Sequence, residues 1–168
     1  MKKTFLLFLF VMLNACGDGE LEIDVIDFDS ASLQFCETQA TVNSTIFFKI
    51  NDDEALILEL QSGLLQNQAS TDTIRSSFPS QSSLIYRLFT EGVNKSYFCD
   101  DIPPATPSVR EEILAEAGEV LITTIQSATD TTLYEHTIKL GGVTLVNSRG
   151  ERITNTQIED FGTITTQE

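Results

Sequence analysis

The chain has 168 residues, with 25 Asp and Glu against 10 Lys and Arg, a formal charge of −15 and no tryptophan. So acidic a surface repels the phosphate backbone, whose binding runs on counterion release through Lys and Arg contacts, and this excludes nucleic acid as a partner. It equally disfavours polybasic attachment to anionic lipid, while the length suffices for one domain with a sizeable core.

Lys2 and Lys3 precede an apolar run from Phe5 to Leu13, and Leu13-Asn14-Ala15-Cys16 then places a small residue and a cysteine where a processing enzyme needs them. That order reads as an export signal over residues 1–15. The run is short for the roughly 30 Å of a bilayer core, and polar sequence follows at once, which argues against a permanent transmembrane helix. The Leu-Asn-Ala-Cys segment resembles the lipobox of bacterial lipoproteins. The resemblance implies cleavage before Cys16, acylation of its sulfur and attachment to the membrane by lipid, in the manner of small lipoproteins of flavobacteria-like organisms. Several fatty chains at one point hold far better than one. The alternatives are simple secretion with a cut near Ala15, or an uncleaved segment. Loss of Lys2 and Lys3 from the 10 basic side chains leaves 8 against 25 acidic ones, a formal charge of −17.

Residues 16–20, Cys16-Gly17-Asp18-Gly19-Glu20, form a short tether. Its acidic character loosely resembles the surface-export signals of Bacteroidota lipoproteins, so both the periplasmic face of the outer membrane and the cell surface are open as locations. The same lineage attaches O-glycans at Asp-Ser/Thr-apolar triplets. Asp29-Ser30-Ala31 and Asp72-Thr73-Ile74 fit that pattern, and Asp130-Thr131-Thr132 is a weaker match, which makes Ser30, Thr73 and Thr131 candidate modification sites.

Residues 21–168 then read as a single β-domain. In Leu21–Phe28, Leu21, Ile23 and Val25 alternate with acids before the phase shifts at Ile26 and Phe28, a strand with a bulge or a change of partner. Ser32–Cys36 is a short strand candidate. Thr45–Ile50 and Ala55–Leu60, separated by Asn51-Asp52-Asp53-Glu54, form a hairpin. Residues 61–83 are rich in Gln, Ser, Asn and Thr and read as loop, with a short strand at Thr73–Phe78. Leu84–Phe89 resumes β character, turns at Gly92-Val93-Asn94 and returns as a strand over Lys95–Cys99.

Asp100–Pro107 holds three prolines and cannot continue a central strand, so it reads as a crossover between two sheets. Arg110–Glu119 fits helix by its Glu, Leu and Ala content and strand by its alternation; the β-like neighbours favour strand. Val120–Ile125 and Leu133–Leu140 form a further hairpin. Gly141-Gly142 turns the chain into Val143–Val146, weak strands follow near Arg152–Thr154, and Ile158, Phe161 and Ile164 supply a final edge. Seven to ten short strands with little helix imply an all-β, two-layer sandwich, immunoglobulin-like or related.

With Cys16 assigned to lipid, Cys36 and Cys99 remain as a disulfide pair for an oxidising compartment, two free buried thiols being the alternative. No Cys-x-x-Cys or Gly-x-Ser-x-Gly is present. His136, the sole histidine, sits in strand-like sequence with Tyr134 and Ile138 on its face and reads as a core-edge or surface residue, since one imidazole cannot assemble a zinc set without several carboxylates.

The acidic groups near Asp24, Asp27 and Asp29, at Asn51–Glu54 and at Asp100-Asp101 carry oxygen donors suited to calcium, but none follows the spaced calcium-loop pattern. Hence no metal, cofactor or catalytic residue is expected. Function reads as a non-enzymatic structural or accessory envelope protein. The rival is a glycan- or protein-binding module using the 61–83 loop. A carboxylate-dependent hydrolase would need two acids facing each other across a cleft, and only Tyr86, Tyr97 and Tyr134 are available as polar aromatics for stacking on sugars.

Overall fold

A computed structural model describes residues 25–153 and 156–168. The signal, Cys16, the tether and Leu21–Asp24 lie outside them. The described chain is β-rich: β1 (Ile26–Asp27), β2 (Ile46–Asn51), β3 (Glu54–Glu59), β4 (Ile74–Ser77), β5 (Ser83–Phe89), a helical turn α1 (Ser96–Cys99), β6 (Val109–Gln126), β7 (Leu133–Val146), β8 (Arg152–Ile153), β9 (Thr156–Gln157) and β10 (Asp160–Gln167). Eight of these strands make one antiparallel sheet in the order β10-β7-β6-β5-β3-β2, with β4 added to β6 and β8 to β7. β1 and β9 form a separate parallel pair.

The hairpin of β2 and β3 closes through a two-residue turn, with Asn51 opposite Glu54 and Asp52 in the left-handed region at φ 55°. Its strands read almost continuously apolar because both faces are covered. Phe47, Leu56, Leu58, Leu84 and Tyr86 enter the main core. Phe48, Ala55, Ile57 and Phe89 enter a second cluster on the other face.

The second cluster explains the largest departure from the sequence reading, because Lys95–Cys99 is a helical turn and no return strand. Asn94 takes the amide of Ser96 on its side-chain oxygen and that of Tyr97 on its carbonyl. This winding sets Tyr97 and Phe98 onto the sheet together, with Phe98 stacked on Phe48 at 4.5 Å and Tyr97 edge-on to Phe89 at 4.9 Å. A strand would send those two rings to opposite faces. Cys99 then bonds to Cys36, 63 residues away, at a Cα separation of 5.2 Å. The disulfide fastens α1 to the segment that runs beside β2, where Gln34 pairs with Phe48.

The proline-rich stretch is no crossover between sheets: β5 and β6 are antiparallel neighbours, with Phe89 opposite Val109, so residues 90–108 form a long connection carrying α1. Strand is the correct reading of Arg110–Glu119, and it runs unbroken into Val120–Ile125. β6 is one strand of 18 residues and β7 one of 14, the latter running through Gly141-Gly142 where a turn was expected. Glycine serves here to bend paired strands rather than end them. Gly118 has φ +122°, and a Cβ there would lie 2.8 Å from the Val143 Cα. The register slips on both sides of Ala117.

Past this bend β6 changes its second partner, pairing β5 over Val109–Leu114 and β4 over Glu119–Ile122. Side chains from both halves of the sheet share the main cluster, among them Phe47, Leu58 and Leu84 from one and Ile122, Ile138, Leu145 and Phe161 from the other. Each such side chain stabilises the fold by roughly 1.5–3 kcal/mol of burial. The shift of phase in the first segment is visible too: Val25 is exposed, while Ile26 and Phe28 are buried.

Candidate functional site: a polar depression over a buried histidine

The polar loop between β3 and β4 crosses the ends of β6 and β10. From Gln66 to Thr73 it buries no side chain fully, so no apolar anchor holds it. Two polar residues attach it instead. Ser70 lies beside Thr124 of β6: its amide donates to the Thr124 carbonyl at 2.9 Å, and its hydroxyl accepts the Thr124 amide at 2.9 Å. Asn67 accepts the Thr166 hydroxyl at 2.6 Å and donates to the Gln167 carbonyl at 3.0 Å on β10.

Between Thr124 and Thr166 sits His136, fully buried. Alternation along β7 places it there, with Tyr134, Ile138 and Leu140 facing the same way. It is a core residue, not the core-edge or surface group expected from sequence. Nδ1 lies 2.8 Å from Thr124 Oγ1 and Nε2 lies 2.8 Å from Thr166 Oγ1. The network assigns the protons. Thr166 spends its own hydrogen on Asn67, so it accepts from Nε2–H, and Nδ1 accepts from the Thr124 hydroxyl. His136 is thus the neutral Nε2–H tautomer, and burial pushes its pKa below 6.5.

Above this network the loop encloses an open depression of about 360 Å³, lined by Gln66, Gln68, Ser70, Asp72, Thr73 and Ile74 among others. The side chains of Gln68, Thr71, Asp72 and Thr73 make no hydrogen bond among the described residues. Amides, hydroxyls and one carboxylate suit a neutral, hydroxyl-rich ligand. Among the described residues no aromatic ring lines the depression. Tyr86 and Tyr134 are buried, and Tyr97 packs edge-on against Phe89.

A second depression, of about 320 Å³, lies where the two ends of the sheet meet and includes Asp29, Ser32, Leu33, Lys49 and Asp160 in its lining. Lys49 shares the core-facing side of β2 with Phe47 and is 4% exposed. Its ammonium donates to the carbonyls of Phe28 and Asp160 at 2.9 Å each, which ties β2 to the start of β10 across the segment that leads in from β1. Burial lowers the Lys49 pKa, while the charges of Asp160, Asp29 and Asp27 pull it back up. Asp27, Asp29 and Asp160 therefore gather about a cation of the protein itself.

Other predicted site residues are dispersed. Asp52 and Asp53 serve a turn whose carbonyls accept the amides of Val93 and Phe89, and Asp100 and Asp101 are exposed on the connection after α1. Ser30, Thr73 and Thr131 are all exposed, on three separate loops, and Thr73 stands on the rim of the first depression. Asp130 is held below the usual carboxylate range by hydrogen bonds from the hydroxyl and amide of Thr132. Cys16 and Asp24 lie outside the described residues. Among the described residues no three His, Cys, Asp or Glu side chains cluster to hold a metal ion.

Sequence reasoning missed Lys49 and the Asn67–Thr166–His136–Thr124 chain. The first had a visible signal, a lysine two residues from Phe47 on the same face of an apolar strand; the second depends on a loop meeting strands distant in sequence. No protein-family model, curated protein or solved structure matches this chain.

Proposed function

We propose that this chain is a non-enzymatic envelope lipoprotein, held in the outer membrane by lipid on Cys16 and projecting an acidic β-domain into the periplasm or from the cell surface. The observation that carries this reading is the order of basic residues, apolar run and Leu13-Asn14-Ala15-Cys16 at the start of the chain. The Cys36–Cys99 disulfide accords with export, because such bonds persist in oxidising compartments. Exposure of Ser30, Thr73 and Thr131 accords with O-glycosylation at the three triplets. The shared core of the two sheet halves supports a two-layer packing about the bend at Gly118, related to a sandwich. Metabolic labelling with a fatty acid tests the anchor: the wild type takes label and partitions into detergent, and Cys16→Ser loses both properties. Label retained by Cys16→Ser overturns it.

A second reading makes the domain a recognition module for glycans or for an envelope protein. Its support is the depression over residues 66–74, where four polar side chains make no hydrogen bond among the described residues. Binding to a panel of cell-envelope polysaccharides, weakened by Asp72→Ala and Gln68→Ala, would establish it. Equal binding by wild type and both variants would remove the depression from consideration.

A further inference from the structure

Segment 66–73 and His136 are linked in a way that neither the anchor nor any ligand requires. The two strand residues that flank the imidazole are the same two that hold the loop. Thr124 gives its hydroxyl to Nδ1 and its backbone to Ser70, while Thr166 gives one hydroxyl to both Nε2 and Asn67. We propose that His136 is an acid-sensitive latch: when its ring takes up a proton, segment 66–73 detaches from β6 and β10 while the sheet itself stays paired.

A second ring proton must sit on Nδ1, which now accepts the Thr124 hydrogen, so that hydroxyl has to rotate away. The cation formed needs solvent or a counter-charge, and neither is at hand. From β7 itself the ring is faced by Tyr134 and Ile138, from β6 by Ile122 and Thr124, from β10 by Ile164 and Thr166, and from the loop by Asn67. None of these carries a charge. Tyr134, the titratable one, accepts a hydrogen bond on its hydroxyl oxygen from the Gln126 side-chain amide at 3.2 Å. Burial alone, with no charged neighbour, accounts for the lowered pKa.

Water reaches the ring most cheaply through the loop. On the inner side Ile122, Ile138 and Ile164 close the site, and displacing them breaks the core. On the loop side only the bonds of Ser70 and Asn67 are lost, because nothing from Gln66 to Thr73 is fully buried. Weakly anchored, polar-bonded segments open separately from the fold. Opening also reshapes the depression, of which the loop forms the wall. The proposal stands whether or not that depression binds a ligand.

Hydrogen exchange on the full-length protein at pH 7.5 and pH 5.0, corrected for the chemical exchange rate, tests it directly. Peptides from 66–73 are expected to lose protection by roughly five- to thirty-fold at pH 5.0, the range set by a ring of ordinary pKa in the open form. Peptides from β7 and β10 should keep theirs, as should those from β6 apart from the Thr124 amide that Ser70 now accepts. His136→Gln, neutral at both pH values, should abolish the difference, and Thr166→Val should leave the loop open at both. Equal protection of 66–73 in the wild type at the two pH values overturns the latch. So does the same acid loosening in His136→Gln, or loss of protection in all strands at once. Should His136→Gln fail to fold, the wild-type comparison and Thr166→Val decide the matter between them.

Discussion

Two buried polar residues carry much of the specificity of this fold, and they do so with opposite electrostatics. Lys49 stays in the core as a donor to two backbone carbonyls, those of Phe28 and Asp160. Lys49→Met keeps the volume and takes a donor from both carbonyls, of which Phe28 still accepts the Ala31 amide, so it should cost about 1–3 kcal/mol, read by urea unfolding. A change below about 0.5 kcal/mol would mean that water replaces the ammonium. His136 is held neutral. Its native pKa lies below the unfolded value of 6.5, so the unfolded chain binds the proton first as pH falls. Its contribution is therefore complete above about pH 6.5 and is lost below it, at up to about 1.4 kcal/mol per pH unit, levelling off once the loop detaches. Comparing wild type with His136→Gln between pH 6.5 and 5, a window above the ordinary carboxylate range, isolates the effect; parallel profiles would contradict it.

At the scale of elements, the bend of the paired strands β6 and β7 rests on one glycine. Gly118→Ala puts a Cβ into the Val143 backbone at a φ that L residues avoid, and should cost about 3 kcal/mol or more in thermal unfolding. Gly150→Ala, at φ +80° with open space around it, should cost only about 1 kcal/mol. Equal effects would show that the bend tolerates a side chain. The disulfide holds α1 over the second cluster, and its removal by Cys36→Ser with Cys99→Ser should lower stability by about 3–4.5 kcal/mol in the loop-entropy picture. Hairpins with local turns, such as β2–β3 and β6–β7, are legible from sequence because alternation and turn residues suffice to specify them. Ser96–Cys99 is not, since its helical turn is selected by rings packing on Phe48 and Phe89, far away in the chain. The continuity of β6 and β7 is hidden for a related reason: a glycine that bends a strand and one that ends it look alike until the opposite strand is known.

For the whole molecule, the all-β character and the Cys36–Cys99 bond follow from patterning and cysteine count, whereas the closure of the sheet by Lys49 and the attachment of the polar loop over His136 depend on contacts that sequence order conceals. The proposed function rests on the start of the chain, in the segment that ends with Leu13-Asn14-Ala15-Cys16. If the body is presented outward, protease added to intact cells should degrade it, and an inward-facing protein should survive until the outer membrane is opened. The most direct measurement is the intact mass of the protein isolated from its host membranes. The expected result is a polypeptide that begins at Cys16 and exceeds the mass of residues 16–168 by a diacylglycerol unit, with or without a further acyl chain. An unacylated polypeptide in the aqueous fraction, whatever its first residue, would contradict the proposal.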